Sequence, residues 1–121
     1  MNLIEQWAQS MDLGPVSNNA RFAVTFDQVR LHLLEIHPGQ VMIEARICDI
    51  PTLPTQRDPT LERVMKIALG RALASPNHVM VDDNQSAIWL QRRLDKEADV
   101  QQLDLAVEGL INDIDLWRKA L

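Results

Sequence analysis

Residues 20–50 read ARFAVTFDQVRLHLLEIHPGQVMIEARICDI, and their apolar groups recur at every second position. Phe22, Val24 and Phe26 share one face of a strand, with Arg21, Ala23 and Thr25 on the other. Asp27-Gln28 is short enough for a two-residue hairpin loop, although neither is the glycine such loops prefer. That loop pairs Phe26 with Val29 and keeps the apolar faces together. The next strand, 29–36, sets Val29, Leu31 and Leu33 against Arg30, His32, Leu34 and Ile36. The third, 41–50, sets Val41, Ile43, Ala45 and Ile47 against Met42, Glu44, Arg46, Cys48 and Ile50. Parity then selects the second turn. A four-residue loop would put the clean apolar row on the mixed face, whereas a three-residue loop, His37-Pro38-Gly39, pairs Leu33 with Ile43 and uses Gly39 as its left-handed residue. The meander has one face for a core and a mixed face that still displays Leu34, Ile36, Met42, Cys48 and Ile50.

Downstream, residues 51–59 hold three of the six prolines and connect the meander to a helix without structure of their own. That helix is PTLERVMKIALGRALAS, 59–75, with Pro59 in its first turn, Asp58 as N-cap and Ser75-Pro76-Asn77 as its stop. At about 100° per residue, Leu61, Val64, Met65, Ala68, Leu69, Ala72 and Leu73 fill about half the circumference, and Ile67 widens the arc to roughly 240°. Covering a sheet needs little more than about 100°. The excess implies a second buried surface, and we read it as the contact between two copies of a small dimer. Gly70 falls on the polar side of this helix and has no evident reason to be there.

Upstream, Leu3, Ile4, Trp7, Ala8 and Met11 have helical spacing, with Asn2 as cap and Gly14-Pro15 as terminator. Residues 16–19 are a polar connection. Two short strands, 79–82 and 86–94, flank an Asp83-Asn84-Gln85 turn, with Ile88 and Trp89 on opposite faces of the second. The last helix, 96–121, repeats Val100, Leu103, Val107, Leu110, Ile114, Trp117 and Leu121 at spacings of three and four. Three heptads are short for a coiled coil, so this is read as an amphipathic helix lying across the sheet. The order is α-β-β-β-α-β-β-α, an α+β class domain over 1–121 with an antiparallel sheet packed with helices.

A chain of 121 residues that is 46% hydrophobic can bury one modest core. Its net charge of −5, without runs of like charge, argues against nucleic acid as a partner. Cys48 is the only cysteine, which fits a reducing compartment. No apolar run approaches a membrane span, and the N-terminus has no basic segment of a leader.

The sequence offers little chemistry. His32, His37 and His78 are scattered without metal-ligand spacing. Cys48 lacks a nucleophile motif and reads as a half-buried strand cysteine. Asp82, Asp83 and Asn84 lack the glycine and later glutamate of a calcium loop and read as turn residues. Four isolated glycines exclude a phosphate-binding loop. Glu108, Asp113 and Asp115 read as the solvated face of the last helix. What remains is apolar surface beyond the needs of folding, the mark of a partner-binding protein.

Taken with the element order, small size and acidic pI, the loosely patterned stretches VMIEARICDIP (41–51) and SAIWLQRRL (86–94) resemble the class I chaperones of bacterial type III secretion systems, the Tir-chaperone-like family. The resemblance spans nearly the whole chain. It implies a homodimer joined through the helix after the third strand, here Leu61, Val64, Met65, Ala68, Leu69 and Ala72. It also implies an extended segment near the N-terminus of a secreted effector, bound on Leu3, Ile4, Trp7, Leu34, Ile36, Met42 and Ile50. Neither ATP, another cofactor nor a metal is implied, and the expected place of action is the bacterial cytoplasm. Two other readings fit the residues: an adaptor of the same fold that binds a folded partner, and a small enzyme with an unrecognised site at the open sheet.

Overall fold

The computed structural model describes residues 2–14, 16 and 21–121; Pro15, the polar connection at 17–19 and the expected strand start at Ala20 lie outside them. The elements are α1 (Leu3–Ser10), β1 (Arg21–Phe26), β2 (Val29–His37), β3 (Gln40–Asp49), α2 (Pro54–Arg71), β4 (His78–Val81), β5 (Ala87–Arg93) and α3 (Val100–Ala120). They occur in the expected order. The five strands form one antiparallel sheet, β1-β2-β3-β5-β4. The position of β5 beside β3 is a long-range choice that local pattern does not reveal.

The first hairpin turns on Asp27 and Gln28 alone, both left-handed at φ 49° and 68°, and pairs Phe26 with Val29. Positive φ at both central residues matches the right-handed twist of the strands. The second hairpin keeps Leu33 opposite Ile43 but closes more tightly than expected. Its loop is Pro38-Gly39, with His37 paired to Gln40 and the extra residue displaced to a bulge at Ile36. Gly39 takes φ 80° as required.

A second bulge changes the faces of β3. Arg46 lies opposite Trp89 and Cys48 opposite Ile88, which leaves Ile47 unpaired. One extra residue inverts the alternation beyond it. Cys48 therefore joins the face of Ile88, and Ile50 is buried in the core together with Ile47. Both had been expected on the mixed face.

The helices differ from expectation at their ends. α1 stops at Ser10 because Asp12, at φ 56°, supplies the left-handed residue: Leu13 N–H donates to Ala8 O at 2.9 Å and Asp12 N–H to Gln9 O at 3.1 Å. Gly14 lies beyond that cap. α2 begins at Pro54, five residues before Pro59, so Asp58 is inside the helix and Leu53 occupies the N-cap without a side-chain bond. Pro54 suits a first turn as well as Pro59 does, and Pro59 leaves one helical hydrogen bond unmade. α3 begins at Val100, where Asp99 and Gln102 form a reciprocal capping box at 2.8 and 2.9 Å.

The core lies between one face of the sheet and a helical layer. Leu31, Leu33, Ile43, Ala45, Ile88 and Leu90 come from the strands, and Leu103, Ala106, Val107, Leu110, Ile114 and Trp117 from α3. α3 thus lies across the sheet as its spacing predicts. Trp7 of α1 is fully buried, set edge-on against Phe26 with ring centres 6.2 Å apart, and its Nε1 donates to Asp104 Oδ1 at 3.1 Å. Among the described residues no helix is long and apolar enough to cross a membrane.

Candidate functional site

Among the described residues, two surfaces bear on the expected contacts. The first is on α2. Val64 is buried, and Leu61, Ile67 and Ala68 pack against the core, so this side of the helix belongs to its own chain. Met65, Leu69 and Leu73 are 65%, 76% and 105% exposed, and Ala72 is exposed with them. On the helical wheel the covered residues span about 240° to 360° and the open Met65 and Leu69 lie at about 40° and 80°, while Ala72 and Leu73 continue the open side past the end of the helix at Arg71. The broad apolar arc is thus divided into a half that folding uses and a half that it does not.

Asp113 fastens α2 to α3. It is buried, and its carboxylate accepts from the Arg71 guanidinium, from Ser75 Oγ and, at 2.7 Å, from Asn77 Nδ2. Asp113 is therefore not part of a solvated helix face, unlike Glu108 and Asp115, the latter paired with Lys119 at 2.9 Å. Its partners come from the chain reversal after α2, some forty residues away in sequence, where helical spacing gives no signal.

The second surface is the outer face of the sheet, turned away from the helices. Its rows follow from the register. Arg21, Leu34, Met42 and Arg93 cross four strands side by side, and Ala23, His32, Glu44, Gln91 and His78 cross all five. Trp89 lies opposite Arg46 on one side and Met80 on the other. The Arg46 guanidinium sits 5.3 Å from the Trp89 ring centre, and the His32 ring meets the same indole edge-on at 5.7 Å. Glu44 is buried although it faces outward, held by Arg21 at 3.1 Å and Gln91 at 2.7 Å. Burial holds His32 below its usual pKa, helped by Arg21, Arg30 and Arg46 and opposed by Glu44, so its imidazole is neutral at pH 7. Its contribution to stability is full above the unfolded value near 6.5 and declines as acid protonates the unfolded chain more readily.

The residues expected to bind a client fall into two groups. Leu34 and Ile36 are half-buried, Met42 is 8% exposed, and Leu34 and Met42 are cross-strand neighbours on the outer face. Leu3 is half-buried in the helical layer, away from them. Ile4, Trp7 and Ile50 are core residues, which corrects their expected place on an open patch. An amphipathic stripe has the same spacing whether its cover is α3 or another molecule. Trp89 and the 45%-exposed Met80 add to the outer face and were not anticipated there. Their strand parity opposite Ile88 was the available signal.

Cys48 has no catalytic setting. Burial, with the neighbouring Asp49 carboxylate, pushes its thiol above the usual value, away from the thiolate a nucleophile needs. Replacing it by serine is expected to lower stability by at most about 1 to 2 kcal/mol and to leave binding intact. Binding lost with an unchanged melting curve would contradict that. Asp82 is a turn residue as expected: the Ser86 hydroxyl and the Ser86 and Ala87 amides donate to its carboxylate and hold its pKa low.

Several solved structures share this fold. One is the HopA1-SchA chaperone-effector complex, at TM-score 0.75 and 14% identity, matching 97% of this chain and 91% of that one. Another is the heterodimeric ExoU-SpcU complex from the type III secretion system of Pseudomonas aeruginosa, at TM-score 0.74 and 19% identity over 98% and 97% of the two chains. The Yersinia pestis type III secretion chaperone SycH, in complex with a fragment of YscM2, gives TM-score 0.69 and 19% identity over 95% and 96%. No curated protein matches the sequence significantly. The model of the Tir chaperone protein (CesT) family matches residues 2–118, and with that match over nearly its whole length the chain belongs to the Tir chaperone family.

Proposed function

We propose that this chaperone acts as a homodimer that holds an extended, non-globular segment of a secreted effector on the outer face of its sheet. It keeps that segment soluble and competent for type III secretion, in the bacterial cytoplasm and as a single domain, without ATP and without a chemical step. The observation that carries the reading is the outer face itself. Leu34, Trp89 and Met80 stay partly open there, among charged and polar neighbours too numerous for a core. An extended client can seat single side chains between such neighbours and satisfy its own backbone at a sheet edge. The HopA1-SchA chaperone-effector complex, and the SycH chaperone with its bound YscM2 fragment, share this fold and support it. The free half of α2 supports the dimer, through Met65, Leu69 and Ala72, with Leu61, Val64 and Ala68 backing them from the core side.

Leu34→Asp tests the client site. Met42 is too buried for a charge to be introduced without disturbing the fold, so Leu34 is the cleaner position. Losing one leucine-sized contact is worth about 1.5 to 3 kcal/mol, so an effector segment that co-purifies with the wild type should bind at least about tenfold more weakly. Sedimentation should still report a dimer. Undiminished binding would move the client away from this face.

A further inference from the structure

The outer face runs against the charge of the chain as a whole. The chain carries −5, yet the register sets Arg21, Arg30, Arg46 and Arg93 on that face. The nearby carboxylates are already engaged, Glu44 by Arg21 at 3.1 Å and Asp49 by Arg46 at 3.0 Å. Arg30 and Arg93 are exposed and enter no ion pair among the described residues. The negative charge of the molecule therefore lies mostly elsewhere.

The arrangement is ordered as well as positive. In the row Arg21, Leu34, Met42, Arg93, an arginine closes each end of an apolar pair; Arg93 is unpaired, and Arg21, though in contact with Glu44, keeps about half of its side chain open. Adjacent strands are about 4.8 Å apart, so the arginine backbones stand about 14 Å from each other, the reach of about four extended residues. Trp89, the one aromatic platform here, is already covered by Arg46, so a cation from a partner has no aromatic face to occupy. A guanidinium offers paired donors that match a carboxylate.

We propose that this face selects acidic client segments, in which carboxylates flank an apolar residue at a separation of about four positions. The proposal rests on the reading that the outer face holds the client, and it adds the client's charge. A basic segment would meet two unpaired arginines, Arg30 and Arg93, beside carboxylates that Arg21 and Arg46 already engage, and like charges at an interface select against a partner.

The test is selection of random dodecapeptides, displayed on phage, against the purified full-length protein and against an Arg30→Glu, Arg93→Glu variant. Both positions are exposed, so the variant should fold, which circular dichroism checks. The wild type is expected to enrich peptides with Asp or Glu on both sides of an apolar residue. Synthetic versions should bind the variant at least about tenfold more weakly and lose affinity as salt rises. Enrichment of apolar peptides with no acidic bias, or of basic ones, overturns the charge proposal while leaving the chaperone reading standing. Enrichment of no peptide by the wild type overturns both.

Discussion

Asp113→Ala is expected to destabilise the protein by about 3 kcal/mol, because the substitution strands a guanidinium rather than merely removing a contact. The Asp113 carboxylate is the shared acceptor of Arg71, Ser75 and Asn77. The Asp113 side chain is 10% exposed and that of Arg71 30%. Breaking a buried ion pair from one side costs about 3 to 5 kcal/mol. The lower end applies here, since water reaches part of Arg71. For a chain of this length the melting temperature should fall by about 10 °C. Asp115→Ala, which opens an exposed pair with Lys119, should change stability by no more than about 0.5 kcal/mol. Equal losses from the two would show that Asp113 is no fastener.

Leu69→Glu should convert a dimer into a monomer. Leu69 is 76% exposed in the single chain, so the change touches nothing in that chain's core, and the secondary structure should be unaltered. In a two-fold dimer the same substitution appears on both sides of the contact, which brings two charges into an apolar interface. The loss is several kcal/mol of association energy, enough to separate the copies at micromolar concentration. Sedimentation of the wild type as a monomer would refute the assignment of α2. Val64→Glu provides the contrast: Val64 is 5% exposed, and the same charge there should unfold the chain rather than divide the dimer.

Much of this could be read from the chain before its structure, and the exceptions share a cause. The register of the three-strand meander followed from parity, because a slip by one would expose every core residue of a strand. The bulges at Ile36 and Ile47 escaped that argument, since an added residue between two apolar positions leaves the alternation readable in either frame. Ile50 was misplaced for that reason. Ile4 and Trp7 were misplaced because periodicity gives the width of a buried stripe and not the identity of its cover. Asp113 was misplaced because its three partners arrive from a distant turn. The start of α2 was ambiguous between two prolines, each suited to a first turn. The start of α3 was set four residues early, at Lys96, although Asp99 and Gln102 stand at capping-box spacing. The open half of α2 was visible as an arc too wide for one contact, and the outer face as a row too apolar for water and too charged for a core.

The way α2 is held has a consequence for motion. Its first turn lacks a side-chain cap, Pro59 interrupts its hydrogen bonding, and Val64 is its one buried residue. Its hold on the rest of the chain rests on that valine, its half-buried neighbours, the Arg71 clasp and two exposed hydrogen bonds, from Arg57 to Gln85 Oε1 and from Arg63 to the Leu121 carbonyl. Local opening of such a helix takes less free energy than opening the sheet, and a second copy that covers Leu69 and Met65 would raise it. Amide exchange over 54–71 should therefore depend on protein concentration, fast in dilute solution and slow when dimers predominate, while exchange in β2 and β3 stays the same. The element that joins two copies would then be the one that each copy alone holds least firmly, so that assembly finishes the fold of the helix it uses.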